Sequence, residues 1–142
     1  MTDRVWIARI WADRDHYELV RARPTRGRVT EAVAFPVPAP DREVLLTGDE
    51  VRIGRRGTEA ADDADAPEID LGGPPRDPGV SHLHAVLLAL PPDRWVVLDA
   101  GSTNGTSLNY ADEPLPVDTP VRLHPGDHIH VGAWTTITVR RR

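Results

Sequence analysis

Fourteen prolines and eleven glycines punctuate a chain of 142 residues, and this limits the fold more than any other feature. A proline inside a helix removes a backbone donor and clashes with the preceding turn, at a cost of about 3 kcal/mol. A helical bundle is therefore excluded, and short strands joined by many turns remain. The length fits one domain, and such a chain can bury about 70 % of its unfolded surface. Hydrophobic residues make up 39 %, with four tryptophans, two tyrosines and one phenylalanine. The core must then come mainly from valine, leucine and isoleucine.

The net charge is −5. Nonspecific nucleic-acid binding needs a basic surface, so nucleic acid is not expected as a partner. All 17 basic residues are arginine. With the abundance of Ala, Asp, Pro and Gly, this points to a GC-rich genome such as that of a high-GC bacterium. The arginine fork can also hold a phosphate by two bonds. There is no cysteine, which excludes disulfides, thiolate metal sites and thiol nucleophiles. No apolar run approaches the roughly 18 residues of a membrane span, and no charged-then-apolar signal opens the chain. A cytoplasmic protein is the expectation, with no membrane partner and no cofactor.

Residues 4–12 read as a strand containing Val5, Trp6, Ile7, Ile10 and Trp11. Over 13–23, Asp13 could cap a short helix through His16, Tyr17, Leu19 and Val20; an irregular polar loop is the alternative. Residues 24–41 carry four prolines and read as a connection with a short strand at Val33–Phe35. Further strands are expected at Glu43–Leu46, Glu50–Gly54, Leu83–Leu90, Trp95–Leu98 and Trp134–Val139, with a hairpin formed by Val121–Leu123 and His128–Val131 around Pro125-Gly126-Asp127. Residues 57–68, with Glu59, Asp62, Asp63, Asp65 and Glu68 among alanines, read as a solvated loop. Strands at this spacing argue for an all-β sandwich or barrel.

Three loops hold residues that turn-filling does not require: Ile53-Gly54-Arg55-Arg56, Val80-Ser81-His82-Leu83-His84-Ala85 and Gly101-Ser102-Thr103-Asn104-Gly105-Thr106. A cationic fork, small hydroxyls and an amide suit a phosphorylated ligand. A sandwich that gathers loops at one end would bring them together.

The order Gly54-Arg55, Ser81-x-x-His84, Thr103-Asn104-Gly105 resembles the forkhead-associated (FHA) domain family. So do the runs Asp77–Ala85 and Gly101–Thr106, and the late pattern Leu123-x-x-Gly126-Asp127-x-Ile129-x-Val131-Gly132. The resemblance covers roughly residues 42–141. It implies an FHA-like β-sandwich of about eleven strands, with room for one short helix in an N-terminal insertion. Residues 1–41 would supply a strand, pairing with the last one, plus that insertion; residues 42–142 would form the core of the same domain.

The family likeness further implies a phosphothreonine-dependent adaptor in Ser/Thr kinase signalling, monomeric and not an enzyme. Its partner would be a phosphothreonine-containing protein or the kinase itself. Arg55 would contact the phosphate or the backbone beside it, Ser81 a phosphate oxygen, and Thr103 the same or its own loop. Asn104 would bond the peptide backbone. Gly54 and Gly105 would permit the loop shapes, and His84 would hold the loops to each other. His82 stands where the family commonly has arginine or asparagine; an imidazole there gains charge toward acid pH.

Other readings stay beside this one. Arg55 and Arg56 could be surface arginines, Ser81 a strand initiator, and Gly101–Thr106 a plain turn. The acidic loop could select peptides with basic flanks. An interaction module indifferent to phosphate is one alternative function. A zinc hydrolase is another, with His82-x-His84, His128-x-His130 and Asp99 or His124 as ligands. A Ser81/His84 hydrolase lacks the Gly-x-Ser-x-Gly elbow.

Overall fold

The computed structural model describes residues 5–22, 33–37, 39–56 and 66–142. Ten strands and one helix lie among them. The strands are β1 (Trp6–Ala12), β2 (Arg42–Leu46), β3 (Glu50–Gly54), β4 (Ile69–Asp70), β5 (Leu83–Leu90), β6 (Arg94–Asp99), β7 (Thr106–Leu108), β8 (Val121–Arg122), β9 (His128–Val131) and β10 (Thr135–Arg141). The helix is α1 (Arg14–Ala22). Two five-stranded sheets have the orders β2-β1-β10-β9-β7 and β4-β3-β5-β6-β8.

The core follows from strand alternation, in which every second side chain faces one side. Trp6, Ala8 and Ile10 of β1, Ile129 and Val131 of β9, and Ile137 and Val139 of β10 face inward from the first sheet. Val51 and Ile53, Ala85 and Leu87, and Trp95 and Val97 meet them from the second. Full burial of each large aliphatic or aromatic side chain contributes about 1.5–3 kcal/mol. The alternate set on the first sheet, Arg9, Trp11, His128, His130, Thr136 and Thr138, lies on its outer face.

Between residues 13 and 23 the helix wins over the loop. Asp13 caps it, its carboxylate accepting the N–H groups of Asp15 at 3.0 Å and His16 at 3.3 Å, which satisfies donors the first turn leaves open. Tyr17 of α1 packs with Ala133 and Trp134, and Val33 and Phe35 cover them. Val33–Phe35 is coil rather than a strand; it acts through side-chain packing, and its Val33 carbonyl accepts the Tyr17 hydroxyl at 2.5 Å.

Val121–Leu123 and His128–Val131 do not form a hairpin. β8 pairs with β6 in the second sheet, while β9 pairs with β10 and β7 in the first. The turn at Pro125-Gly126-Asp127 therefore carries the chain from one sheet to the other. The acidic residues Glu59, Asp62, Asp63 and Asp65 lie outside the described residues.

Chain direction gives the sandwich two distinct poles. The end of β3, the start of β5 and the end of β6 meet at one pole. At the other, the Pro91–Asp93 turn of the β5–β6 hairpin is clasped by Trp6, whose indole N–H donates to Asp93 Oδ1 at 3.1 Å, and by Arg141, ion-paired to Asp93 Oδ2. Val5 and Arg142 exchange backbone hydrogen bonds at that same far pole. No helix of the described residues is long and apolar enough to cross a membrane.

Candidate functional site

Three segments converge at the first pole: 54–56 after β3, 77–84 entering β5, and 99–106 between β6 and β7. Gly54 begins the convergence. A Cβ on it would stand 2.0 Å from the His82 carbonyl oxygen, so only glycine lets the two backbones touch. Arg55 follows immediately. Its backbone N–H donates to the His82 carbonyl at 3.1 Å, and its Nε–H donates to the Val80 carbonyl at 2.9 Å. The guanidinium is thus anchored by one nitrogen against the segment that carries Ser81.

His84 joins the second and third segments. It is fully buried. Its Nδ1 accepts the Ser81 N–H at 3.1 Å, and its Nε2–H donates to the Gly105 carbonyl at 2.8 Å. This pairing requires the neutral ring with the proton on Nε2. Burial pushes the imidazole below its ordinary range, outweighing the Gly105 hydrogen bond and the attraction of Asp99 and Asp77. A second link runs from the Thr103 N–H to Ser81 Oγ at 3.1 Å, and a third from Asn104 Nδ2–H to the Gly79 carbonyl at 3.0 Å. Ser81 Oγ accepts in the first of these, so its own hydrogen remains a donor. His82 and Thr103 are exposed at the rim, while Asn104 and Gly105 are half-buried.

Two buried carboxylates shape these loops, and sequence reasoning gave neither that role. Asp99 accepts the N–H groups of Gly101 and Ser102 at 3.0 Å each, the Ser102 hydroxyl at 2.5 Å and the Thr106 hydroxyl at 2.6 Å. The Ser102 hydroxyl in turn accepts the Gly105 N–H at 3.0 Å. Asp77 accepts the Gly79 N–H at 2.9 Å and ties it to the turn between β9 and β10. The readable signal was the Asp-x-Gly spacing in both Asp77–Gly79 and Asp99–Gly101, which favours a carboxylate bonding the amide two residues on. Asp70 does the same for the Gly72 N–H and also accepts that of Arg56.

The hydrolytic readings do not fit this geometry. Both ring nitrogens of His84 are engaged to backbone, so none is left to activate the Ser81 hydroxyl. His82 is exposed while His84 points inward, which separates the first His-x-His pair. His128 and His130 do share the outer face, but both ring nitrogens of His130 are taken, Nδ1 by the Thr136 hydroxyl and Nε2 by the Tyr110 N–H. Among the described residues no group of three His, Cys, Asp or Glu could hold a metal ion.

The sequence pattern of the FHA domain matches residues 51–132, more than half of the chain and all three converging segments. The chain belongs to the FHA domain family. The FHA domain-containing protein At4g14490 of Arabidopsis thaliana is 35 % identical over 94 residues, which are 65 % of this chain and 20 % of that protein. The chain thus spans about a fifth of that relative. Yeast Pml1p superposes with a TM-score of 0.64 at 17 % identity, covering 99 % of this chain and 83 % of Pml1p. Mycobacterium tuberculosis EmbR, solved with a low-affinity phosphopeptide, has a TM-score of 0.52 at 26 % identity, over 70 % of this chain and 21 % of EmbR. The FHA sandwich of two sheets is the fold seen here, with α1 lying between β1 and β2.

Proposed function

We propose that this FHA domain is a phosphothreonine-dependent adaptor that docks phosphorylated partners in Ser/Thr kinase signalling and catalyses nothing itself. One observation carries the reading: Arg55, Ser81, Thr103 and Asn104, from three separate segments, are hydrogen-bonded to one another's loops around a single rim. With Nε held by Val80, the terminal NH2 groups of Arg55 form the fork that takes a phosphate in two bonds. The Ser81 and Thr103 hydroxyls supply further donors, and the Asn104 amide suits a peptide backbone. Such a rim is preorganised, so little ordering cost attends binding. EmbR, which binds a phosphopeptide, supports the same reading for this chain. The partner would be a phosphorylated protein or its kinase, met in the cytoplasm by a monomeric domain.

The test is an oriented phosphopeptide library screened against wild type, Arg55→Ala and Ser81→Ala. A hydrogen bond to a charged group contributes about 1.5–3 kcal/mol, so each variant should bind about 10- to 150-fold more weakly while remaining folded. Unchanged affinity in both variants, or binding that survives phosphatase treatment of the peptide, would replace this reading with a phosphate-independent one.

His82 adds a further candidate contact. Its ring is exposed beside Ser81, and an imidazole N–H there can donate to the phosphate. One hydrogen bond contributes about 0.5–1.5 kcal/mol, so His82→Ala should weaken phosphopeptide binding by about 2- to 12-fold. Unchanged affinity in a peptide titration would remove His82 from the contact set.

A further inference from the structure

The helix α1, which precedes the residues that match the family pattern, reaches the candidate site through a connected run of hydrogen bonds. Asp13 is buried where α1, β10 and the segment after β7 meet. Beyond capping α1, its Oδ2 accepts the hydroxyls of Tyr110 at 2.6 Å and Thr136 at 2.7 Å. Its N–H donates to the Trp134 carbonyl at 2.8 Å. His16, one turn into α1, donates from Nε2 to the Val131 carbonyl at 3.1 Å. His130 completes the set: its Nε2 accepts the Tyr110 N–H at 3.0 Å, and its Nδ1–H donates to the Thr136 hydroxyl at 2.8 Å. Together these bonds grip residues 131–136 from the α1 side.

Asp77 grips the same turn from the other side. Its Oδ1 accepts the N–H groups of Ala133 and Gly79, both at 2.9 Å, and its Oδ2 accepts the Trp134 N–H at 3.3 Å and the Thr135 hydroxyl at 2.6 Å. Gly79 lies so close to this turn that a Cβ on it would stand 2.7 Å from the Ala133 nitrogen. The Gly79 carbonyl then accepts Asn104, and the neighbouring Val80 carbonyl accepts Arg55. Close-packed interiors pass displacements on rather than absorbing them.

The geometry points to Asp13 and His16 as positioning residues of the phosphothreonine site, acting through the 131–136 turn and Asp77 on Gly79. This rests on the functional reading above. Neither residue touches the rim, so each acts only by fixing where Gly79 and Val80 present their carbonyls to Asn104 and Arg55.

Three variants separate this role from folding. Asp13→Asn keeps a good helix cap but donates where Oδ2 accepted, so the Tyr110 and Thr136 hydroxyl hydrogens lose their acceptor. Thr136→Val removes one of those hydroxyls at nearly constant shape. Asp93→Asn loosens the far pole instead and controls for stability alone. Substitutions along a coupled network change affinity by about 2- to 30-fold. Asp13→Asn and Thr136→Val should weaken a phosphothreonine peptide within that range and speed hydrogen exchange at the Gly79 and Ala133 amides. Asp93→Asn should lower Tm while leaving both readouts at wild-type values. Wild-type exchange at Gly79 and Ala133 in the first two variants would overturn the proposal. If wild type bound no phosphopeptide, the functional reading would fall, and the exchange rates would still decide the coupling.

Discussion

Gly54→Ala is expected to abolish measurable phosphopeptide binding and to destabilise the domain by about 3–5 kcal/mol. The added methyl would stand 2.0 Å from the His82 carbonyl oxygen, 2.8 Å from its carbon and 3.3 Å from Leu83 Cα. All three atoms are backbone, so no side chain can rotate away. Relief requires moving the start of β5 away from β3, which breaks the Arg55 N–H bond to His82 and the Nε bond to Val80. Overpacking of this kind costs about 1–3 kcal/mol, and each broken hydrogen bond about 1 kcal/mol more. Gly48→Ala is the matched control. Gly48 lies in the far-pole turn between β2 and β3 with a φ of +75° and nothing within 4 Å of a Cβ. Its replacement should cost about 1–2 kcal/mol of backbone strain and leave peptide affinity unchanged. Denaturant titration and peptide titration of both variants check the contrast; equal effects on binding would show that the Gly54 contact does not shape the site.

The second large effect is expected of His84→Phe. Phenylalanine fills the space but leaves the Ser81 N–H without its acceptor and the Gly105 carbonyl without its donor. Each such group left unsatisfied costs about 1–3 kcal/mol, so a loss of about 2–6 kcal/mol is expected, nearer the lower end because both groups are only half-buried. Binding should fall by about 100-fold or more, because Ser81 and the Gly105 loop are no longer held at one spacing.

The same histidine makes stability depend on pH. Burial lowers the folded-state pKa of His84, and likewise that of His16. In both, the neutral form belongs to the fold, so the unfolded chain binds more protons. Stability is then complete above the unfolded imidazole value of about 6.5 and declines as pH falls through the folded values. The slope approaches about 1.4 kcal/mol per pH unit for each imidazole. Asp13 extends the decline at lower pH. Burial alone would raise its carboxyl, but hydrogen bonds from Tyr110, Thr136 and the His16 and Asp15 amides together hold it below the ordinary range. Denaturant titrations at a series of pH values should find wild type weakening below about pH 6.5, and His84→Phe weakening with a shallower slope. Equal slopes would assign the acid sensitivity elsewhere.

The sandwich and its three loops were legible because their chemistry is local. Short, nearly continuous apolar runs mark β5 and β6, and Gly-Arg, Ser-x-x-His and Thr-Asn-Gly are each compact in sequence. What could not be read was which sheet each strand joins. A Pro-Gly-Asp turn looks alike whether it closes a hairpin or crosses between sheets, so Val121–Leu123 and His128–Val131 were paired wrongly. β4 and β7, with two and three residues, are too short to carry a pattern. Of the groups bonded to the Asp77 carboxylate, only the Gly79 N–H is close in sequence. The other partners of Asp77 lie at Ala133–Thr135, more than fifty residues away, and only folding brings them near. His84 was expected to hold the loops to each other; it lies fully buried between the two segments that its ring nitrogens join.

Val5 and Arg142, paired through their backbones, lie beside the Asp93 clasp, a full strand length from the converging segments. A dye or solid support coupled at either of these two positions would therefore hang the domain mouth-outward, with its reading surface facing solution. In an assay, coupling at Arg142 should leave the ligand's approach unobstructed.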